Sequence, residues 1–273
     1  MELIVFDLDG TLLNKQSTIS AYTRDTLALL REQGIAYTLA TGRALHAADS
    51  LIKGHGFDLP HIYKNGVFIW NPLEQRYSQS YLLSQHEIKH VMGVFFEQQV
   101  TPFVFTLEPG DKHAVYHSTL QNETERKLVD AFQNDRGLPV LPLSELPADA
   151  QITNISSLGS ASAIDAIALH IIDEPNLVAY QGIAIEDKNF CWLDVHHTEG
   201  SKGGAVTSLK EELGAKRVIC FGDSDNDLSM FALADEAYAP ENAKPEVKAA
   251  ATAVIGHHDE DGIARFLRER FNL

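Results

Sequence analysis

The sequence predicts an α/β protein in which a doubly wound parallel sheet is interrupted by an inserted α+β domain. Apolar strand-like runs alternate with helical segments over roughly the first and the last seventy residues. The region between them has strands that follow one another in runs. Acidic and hydroxyl side chains follow strands in both flanks, and ligands of doubly wound sheets bind at such strand ends.

The first flank contains two predicted strand–helix units and a hairpin. Residues 3–6 form a continuous apolar run, which is typical of a strand buried on both faces. Ser20 is a suitable N-cap for the helix that follows, and Gly34 is suited to end that helix. The other predicted elements are the strand 35–40, the helix 44–53, the strand 61–63, the turn pair Asn65-Gly66 and the strand 67–70.

The last flank repeats this alternation. Its predicted elements are the helix 203–213 with Gly214 at its end, the strand 217–221, a helix from about Asn226, the helix 244–251, the strand 252–255 and the helix 262–271. Strands that alternate with helices favour βαβ units and a parallel sheet that is covered on both faces.

The middle of the chain is predicted to form a second domain. Its predicted helices are 84–98, 123–133 and 160–172, and its predicted strands are 101–107, 113–117, 151–157 and 182–186. We therefore expect residues 1–83 and 190–273 to form one domain and residues 84–189 to be inserted into it.

Composition excludes several classes of function. The chain has 273 residues and a net charge of −16, which disfavours binding to nucleic acid or to anionic membranes. No apolar stretch approaches the roughly 18 residues of a membrane span, and no basic segment of a signal peptide precedes the first strand. Cys191 and Cys220 lie in apolar strand-like segments, so we expect two buried thiols in a reducing cytoplasm.

The first polar motif follows the first predicted strand and reads Asp7-Leu8-Asp9-Gly10-Thr11. Residues i and i+2 of a strand point the same way, so the Asp7 and Asp9 side chains are expected to project together. Two adjacent carboxylates suit a nucleophile beside a proton donor, or a site for a hard metal ion. The alternative, a surface loop of acidic and turn residues, accounts less well for the strand context.

Two further motifs carry groups that suit phosphate. Thr41-Gly42-Arg43 follows the second strand and offers a hydroxyl and a backbone N–H, although an ordinary turn explains this tripeptide equally well. Ser201-Lys202-Gly203-Gly204 opens a helix, where a lysine is mildly unfavourable unless an anion is bound. On local evidence, a solvent-exposed Lys202 in a glycine-rich loop is an equal alternative.

The fourth motif, Gly222-Asp223-Ser224-Asp225-Asn226-Asp227, again follows a buried strand. The spacing of its three aspartates is that of an EF-hand loop, but Leu228 stands where that loop needs glycine and Ala234 where it needs glutamate. A second carboxylate cluster at a strand end is what the first cluster needs to complete a Mg²⁺ site.

Together, the four motifs resemble those of the haloacid dehalogenase-like hydrolase superfamily, and they occur in its order. The gap of about 160 residues between the second and third motifs resembles the type IIB cap of the Cof-type phosphatase branch. Other segments similar to that branch are Lys64-Asn65-Gly66, Leu193-Asp194-Val195, Asn242-Ala243 and Asp261-Gly262-Ile263-Ala264. One departure is the stretch Tyr238-Ala239-Pro240-Glu241, which leaves the shape of that loop open.

The resemblance implies a Rossmann-like core, a cap that governs substrate specificity and a phosphatase mechanism. Asp7 is the expected nucleophile and Asp9 the general acid and base. Mg²⁺ is expected on the carboxylates of Asp7 and Asp223 and on the main-chain oxygen of Asp9. The remaining implied residues are Thr41, Lys202, Asn226 and the backbone N–H groups of Leu8 and Gly42 for phosphate, Asp227 to orient Lys202 or metal-bound water, and Arg43 as a nearby cation.

These features predict a cytoplasmic phosphatase that hydrolyses a small phosphorylated metabolite, with the substrate and the oligomeric state undetermined. A phosphomutase on the same scaffold and a phospho-accepting switch resembling a receiver domain remain alternatives. The switch leaves Asp9 unexplained and needs no cap. His257 and His258 are expected on the solvated surface, whereas a role in the site is left open for His196 and His197.

Overall fold

A computed structural model describes residues 1–109, 112–135, 137–184 and 187–273, and the chain divides into two compact units. The first unit comprises Met1–Gln79 and Glu199–Leu273, and the second comprises Ser80–Thr198. In the part of the chain that is described, no helix is both long and apolar enough to cross a membrane.

The first segment of the first unit alternates strands and helices before it ends in a hairpin. Its elements are β1 (Glu2–Phe6), α1 (Ala21–Glu32), β2 (Ala36–Leu39), α2 (Leu45–Ile52), β3 (His61–Tyr63), β4 (Phe68–Asn71) and β5 (Arg76–Ser80). Ser20 caps α1 as expected, since its side chain accepts a hydrogen bond from the backbone N–H of Thr23.

Where it is described, the second unit mixes three α-helices with six strands. Its elements are α3 (Gln85–Glu97), β6 (Phe103–Glu108), β7 (Lys112–His117), α4 (Glu123–Asp130), β8 (Val140–Pro142), β9 (Gln151–Gly159), α5 (Ala161–Ile171), β10 (Leu177–Ile183) and β11 (Cys191–His197). Of the predicted strand 182–186, residues 185 and 186 lie outside the described residues.

The chain then returns to the first unit. The elements of this last segment are α6 (Lys202–Glu212), β12 (Arg217–Phe221), α7 (Leu228–Phe231), β13 (Glu236–Pro240), α8 (Pro245–Ala250), β14 (Ala253–Ile255) and α9 (Gly262–Phe271). The strand β13 was not predicted, because the sequence analysis interprets Tyr238-Ala239-Pro240-Glu241 as a loop and a proline argues against a central strand.

The first unit contains the predicted parallel sheet. Its strand order is β14-β13-β12-β1-β2, and every neighbouring pair is parallel. β1 lies between β12 and β2, where Leu3 and Val5 join a core that also includes Cys220. This burial explains why β1 is a continuous apolar run. The short sheet β3-β4-β5 adjoins β2 through a single parallel bridge between Ala40 and Ile62.

The second unit is built on a six-stranded sheet of order β10-β11-β9-β6-β7-β8. On one face, Val91 and Phe95 of α3 and Ile164 of α5 pack against Ile155 and Leu193 of the sheet. On the other face, Leu128 of α4 and the following Phe132 pack with Phe103 and Phe105 of β6 and with Leu158 of β9.

The two compact units differ in extent from the predicted domains, because the second unit runs to Thr198 whereas the predicted insertion ends at residue 189. The strand β11 lies at residues that the sequence analysis places in the first domain. In the structure it pairs with β10 and with β9 and belongs to the second unit. Strand pairing is a tertiary property that the local sequence does not reveal. Both cysteines are free thiols, but Cys191 is only partly buried whereas Cys220 is buried.

Candidate active site

Three parallel strands bring the polar motifs to one edge of the sheet. Phe6 of β1 is in register with Leu39 of β2 and with Phe221 of β12. The backbone N–H of Asp7 donates to the carbonyl oxygen of Phe221 at 2.9 Å, so the residues after β1 continue alongside β12. Because parallel strands end together, motifs that are some 200 residues apart in the chain meet here.

Lys202 lies at the centre of this edge. Its ammonium group contacts Oδ1 of Asp7 and Oδ1 of Asp227, each at 2.6 Å, and its side chain is fully buried. Ser201 caps the helix that Lys202 opens by accepting from the N–H of Gly204. The alternative of a solvent-exposed lysine is therefore excluded, and the mildly unfavourable helix position is offset by two carboxylates.

Asp227 uses both of its carboxylate oxygens within the protein. While Oδ1 contacts Lys202, Oδ2 accepts from the backbone N–H groups of Asp223 and Ser224 at 2.8 and 2.9 Å. Gly222 permits this approach, since a Cβ atom there would lie 2.4 Å from Cγ of Asp227. Asp227 therefore holds both the lysine and the loop that carries Asp223.

Burial shifts the protonation equilibria of the acidic groups. It raises the pKa of Asp7 to about 8, with Lys202 opposing the rise and the carboxylates of Asp227 and Asp223 adding to it. Burial and Asp227 raise the pKa of Asp223 to about 6. Although burial disfavours the ammonium form of Lys202, Asp227 and Asp7 raise its pKa above the ordinary value. A cation at this cluster would favour the ionised carboxylates.

The acidic cluster has the donors that a hard cation needs. Ligand atoms of Asp7, Asp223 and Asp227 all lie within 4.8 Å of one another. The oxygens of Asp227 are already engaged, so Asp7 and Asp223 are the better ligands. Thr11 donates to Oδ1 of Asp223 at 3.4 Å and helps to orient it. Carboxylate oxygens from two strand ends fit Mg²⁺, which binds through one or two carboxylates and retains water.

The carboxylate of Asp9 is held apart from this cluster by Arg43. Nε and Nη2 of Arg43 donate to Oδ2 and Oδ1 of Asp9 at 2.7 and 2.6 Å, and Nη1 donates to the carbonyl oxygen of Ala47. The sequence placed Arg43 only near the site, but in the structure it orients Asp9 directly.

Gly10 turns the chain with φ +72°, and a Cβ atom there would lie 2.4 Å from Oδ2 of Asp223.

The predicted phosphate-binding groups occupy the adjoining loops. Thr41 is buried after β2, and its Oγ1 accepts from the backbone N–H of Arg43 at 3.1 Å. Leu8 begins the turn after Asp7, and Gly42 follows Thr41. Asn226 lies in a short 3₁₀ turn that precedes α7, where its Nδ2 donates to Oδ1 of Asn65 at 2.8 Å.

Asn65 is a site residue that the sequence reading missed. The sequence analysis assigned it to a tight turn and to a segment similar to the Cof-type branch but gave it no role in the site, and its backbone does adopt φ +57°. Its side chain, however, lies against Asn226 and against the backbone of Gly42, where an added Cβ would be 3.0 Å from Oδ1 of Asn65. Its match to the Cof-type branch was the available signal.

A second missed group supports the loop that carries Asp9. Nδ2 of Asn242 donates to the carbonyl oxygen of Gly10 at 2.7 Å, and its Oδ1 accepts from the backbone N–H of His258. The ring of His258 contacts the carbonyl oxygen of Leu13 at 2.7 Å. The prediction of a solvated His257-His258 surface is therefore wrong for His258, because its ring contacts a backbone carbonyl oxygen of the protein.

The other two histidines singled out in the sequence lie in β11 of the second unit. His196 is fully buried and its Nδ1 lies 3.1 Å from the carbonyl oxygen of His197. Nε2 of His197 lies 3.9 Å from Oε1 of Glu87. Both rings therefore have structural contacts within the second unit.

Comparison with known proteins identifies the family. The model of the haloacid dehalogenase-like hydrolase family matches residues 4–267. The chain is 30% identical to the 5-amino-6-(5-phospho-D-ribitylamino)uracil phosphatase YwtE of Bacillus subtilis, over 98% of this chain and 97% of the relative. It is 26% identical to the pyridoxal phosphate phosphatase YbhA of Escherichia coli, over 97% of each chain.

Solved structures agree with this fold. The sugar phosphatase BT4131, of subclass IIB, superposes with a TM-score of 0.76 at 21% identity and covers 100% of this chain and 99% of that chain. The phosphatase BT1666 of Bacteroides thetaiotaomicron superposes with a TM-score of 0.80 at 20% identity, over 100% of this chain and 96% of that chain. The chain belongs to the haloacid dehalogenase-like hydrolase family, to its Cof-type branch, and is an enzyme of the phosphatase class.

Proposed function

We propose that this enzyme hydrolyses the phosphomonoester of a small metabolite through an aspartyl-phosphate on Asp7, with Mg²⁺ as cofactor. The observation that carries the proposal is the buried contact of Asp7 with Lys202 at 2.6 Å, beside Asp223. Lys202 favours the ionised form of this dehydrated carboxylate against the effect of burial, and Mg²⁺ when bound would favour it further, which activates Asp7 as a nucleophile.

Asp7 acts as the nucleophile, and Asp9 donates and then accepts the proton in the two chemical steps. A carboxylate oxygen of Asp7 bonds to phosphorus while the ester P–O bond breaks, and Asp9 gives its proton to the departing oxygen. Asp9 then accepts a proton from water as the water oxygen bonds to phosphorus. The bond between phosphorus and Asp7 breaks, which releases phosphate and restores the free carboxylate.

The surrounding groups position the phosphoryl group and Asp9. Lys202 offsets negative charge at Asp7, while the Thr41 hydroxyl, the Asn226 amide and the N–H groups of Leu8 and Gly42 bind phosphoryl oxygens. Arg43 fixes the carboxylate of Asp9 at two points. The carboxylates of Asp7 and Asp223 and the main-chain oxygen of Asp9 would hold Mg²⁺, which when bound offsets charge on the reacting oxygens.

The relatives support a small phosphorylated metabolite as the substrate. One acts on a phosphoribitylamino-uracil and another on pyridoxal phosphate, as their names state. We assign the choice of substrate to the second unit, and the −16 net charge disfavours nucleic acid as a partner. The free thiols suit the predicted cytoplasmic location.

An activity screen tests the proposal. Purified protein is assayed with p-nitrophenyl phosphate and a panel of metabolite phosphates, with Mg²⁺ or with EDTA, and kcat/KM is measured. We expect many turnovers with Mg²⁺ and none for Asp7→Asn. Asp25→Asn is the matched control, since Asp25 is an exposed side chain on α1. Undiminished turnover by Asp7→Asn would exclude Asp7 as the nucleophile.

The same assay separates the two alternative functions. A switch accepts one phosphoryl group per protein molecule and retains it, so release of p-nitrophenol would stop at one equivalent. A phosphomutase would interconvert two isomeric monophosphates and require a bisphosphate, which product analysis detects. Continuous release of phosphate without isomerisation supports the phosphatase over both.

A further inference from the structure

One part of the second unit's sheet combines an exposed aromatic ring with a fixed carboxylate. Trp192 and Asp194 are separated by one residue on β11, so both point to the same face of the sheet, about 6.6 Å apart along the strand. The intervening Leu193 points to the opposite face, where it packs in the core with the helices α3 and α5.

The indole of Trp192 lies across the neighbouring strand rather than in the core. Gly182 of β10 is its direct partner, and a Cβ atom at Gly182 would lie 2.9 Å from Nε1 of the indole. Glycine is thus required for the ring to lie over β10. The side chain nevertheless remains 37% exposed, which leaves aromatic surface for a ligand to contact.

The carboxylate of Asp194 is oriented by a chain of hydrogen bonds. Its Oδ1 accepts from Nδ2 of Asn154 at 2.6 Å and from Oγ of Ser156 at 2.7 Å, and Asn154 in turn accepts from Thr153. Within residues 1–109, 112–135, 137–184 and 187–273, no donor reaches its second oxygen. That oxygen is a fixed acceptor beside the indole.

We propose that this face binds a planar heteroaromatic ring with N–H donors. The ring stacks on Trp192 and donates a hydrogen bond to Oδ2 of Asp194. An acyclic polyol such as ribitol presents no flat face to the indole, so it fits this pair less well than a planar ring does. The inference deepens the proposed function, on which it rests in assigning the ring to the substrate. It agrees with the substrates named for two relatives, since uracil carries N–H donors and the ring nitrogen of pyridoxal donates when it is protonated.

Direct binding tests the ring site without any use of phosphatase activity. The chain has two tryptophans, so the ¹H–¹⁵N spectrum of the full-length protein contains two indole signals, and Trp70→Phe identifies that of Trp192. Titration with 5,6-diaminouracil should shift the Trp192 signal saturably, whereas ribitol and tetramethylammonium should not. An equal shift by ribitol, a shift by the cation alone, or no shift with the ring overturns the proposal.

Asp194→Asn tests the hydrogen bond with little change of shape. An asparagine Oδ1 can still accept from Asn154 and Ser156, but the second atom becomes a donor. We expect the apparent Kd for 5,6-diaminouracil to rise at least fivefold. Asp173→Asn, at an exposed position of the same unit, should leave it unchanged. Equal Kd values for Asp194→Asn and the wild type would contradict the assigned acceptor.

Kinetics then test whether the ring belongs to the substrate. Trp192→Ala should lower kcat/KM for pyridoxal phosphate by about tenfold, as expected for loss of one stacked ring, and Trp192→Phe should restore part of it. The kcat/KM for ribose 5-phosphate should change less than about twofold. Equal losses on both substrates would refute the ring site, whereas no turnover by the wild type would refute the proposed function alone.

Discussion

Arg43 and Asp9 form a two-point contact, in which Nε and Nη2 of the guanidinium face separate oxygens of one carboxylate at 2.7 and 2.6 Å. The two residues are 34 positions apart and follow different strands, β1 and β2. A planar donor pair fixes both the position and the rotation of a carboxylate. In the proposed mechanism, Arg43 would therefore set the position from which Asp9 transfers its proton.

Arg43→Lys should reduce kcat about tenfold while KM changes less, because an ammonium group keeps the charge but cannot make the two-point contact. Steady-state kinetics with p-nitrophenyl phosphate measure both constants. Arg24→Lys is the control, since Arg24 makes an exposed contact with Asp25. A kcat equal to that of the wild type would show that a charge alone suffices at position 43.

Lys202→Met should abolish turnover and lower the free energy of unfolding by about 3–5 kcal/mol at pH 7, because Asp7 and Asp227 would lose their buried partner. Urea unfolding followed by circular dichroism measures the change. For the half-exposed pair of Lys210 with Asp235, we expect Lys210→Met to cost less than about 1 kcal/mol. Similar costs for the two variants would contradict the central role of Lys202.

The metal-free protein should become less stable as the pH rises from about 4 to 8. Burial raises the folded-state pKa of Asp7 to about 8 and that of Asp223 to about 6, so the folded state binds more protons than the unfolded state in this window. Thermal unfolding in EDTA checks the direction. Asp7→Asn should show a weaker decline, and a difference of one kcal/mol would move Tm by about 2 °C.

Mg²⁺ should raise the Tm of the wild type, and most strongly near pH 8, where both ligands can ionise. At a hundredfold excess over Kd, a bound ligand stabilises the folded state by about 2.7 kcal/mol. Asp223→Asn should lose most of this gain. Asp225→Asn, an exposed neighbour that contacts Lys244, should keep it. Equal protection of both variants by Mg²⁺ would exclude Asp223 as a ligand.

Asn242→Asp should lower kcat severalfold with little effect on KM. The aspartate can still accept from the N–H of His258 but cannot donate to the carbonyl oxygen of Gly10, which lies next to Asp9. Kinetics on p-nitrophenyl phosphate at pH 7 provide the measurement. Asn176→Asp, at an exposed position of the second unit, is the control. An unchanged kcat would indicate that the turn at Gly10 holds its shape without Asn242.

The limits of sequence reading are clearest at the domain boundary and at β13. Pairing with β10 and β9 places β11 in the second unit, although the sequence analysis places residues 191–197 in the first domain. β13 is stabilised by its pairing with β12 and β14 rather than by a strong strand pattern of its own. In both cases the deciding contacts are distant in the chain.

The sequence by itself determined the parallel sheet and the residues at its functional edge. Buried parallel strands are continuous apolar runs, and the polar motif that follows each run marks its carboxyl end. Only the tertiary structure decided which groups touch. Asn65 meets Asn226 across 161 residues and Asn242 meets Gly10 across 232, because sheet register and loop packing, rather than local preference, bring such groups within hydrogen-bonding distance.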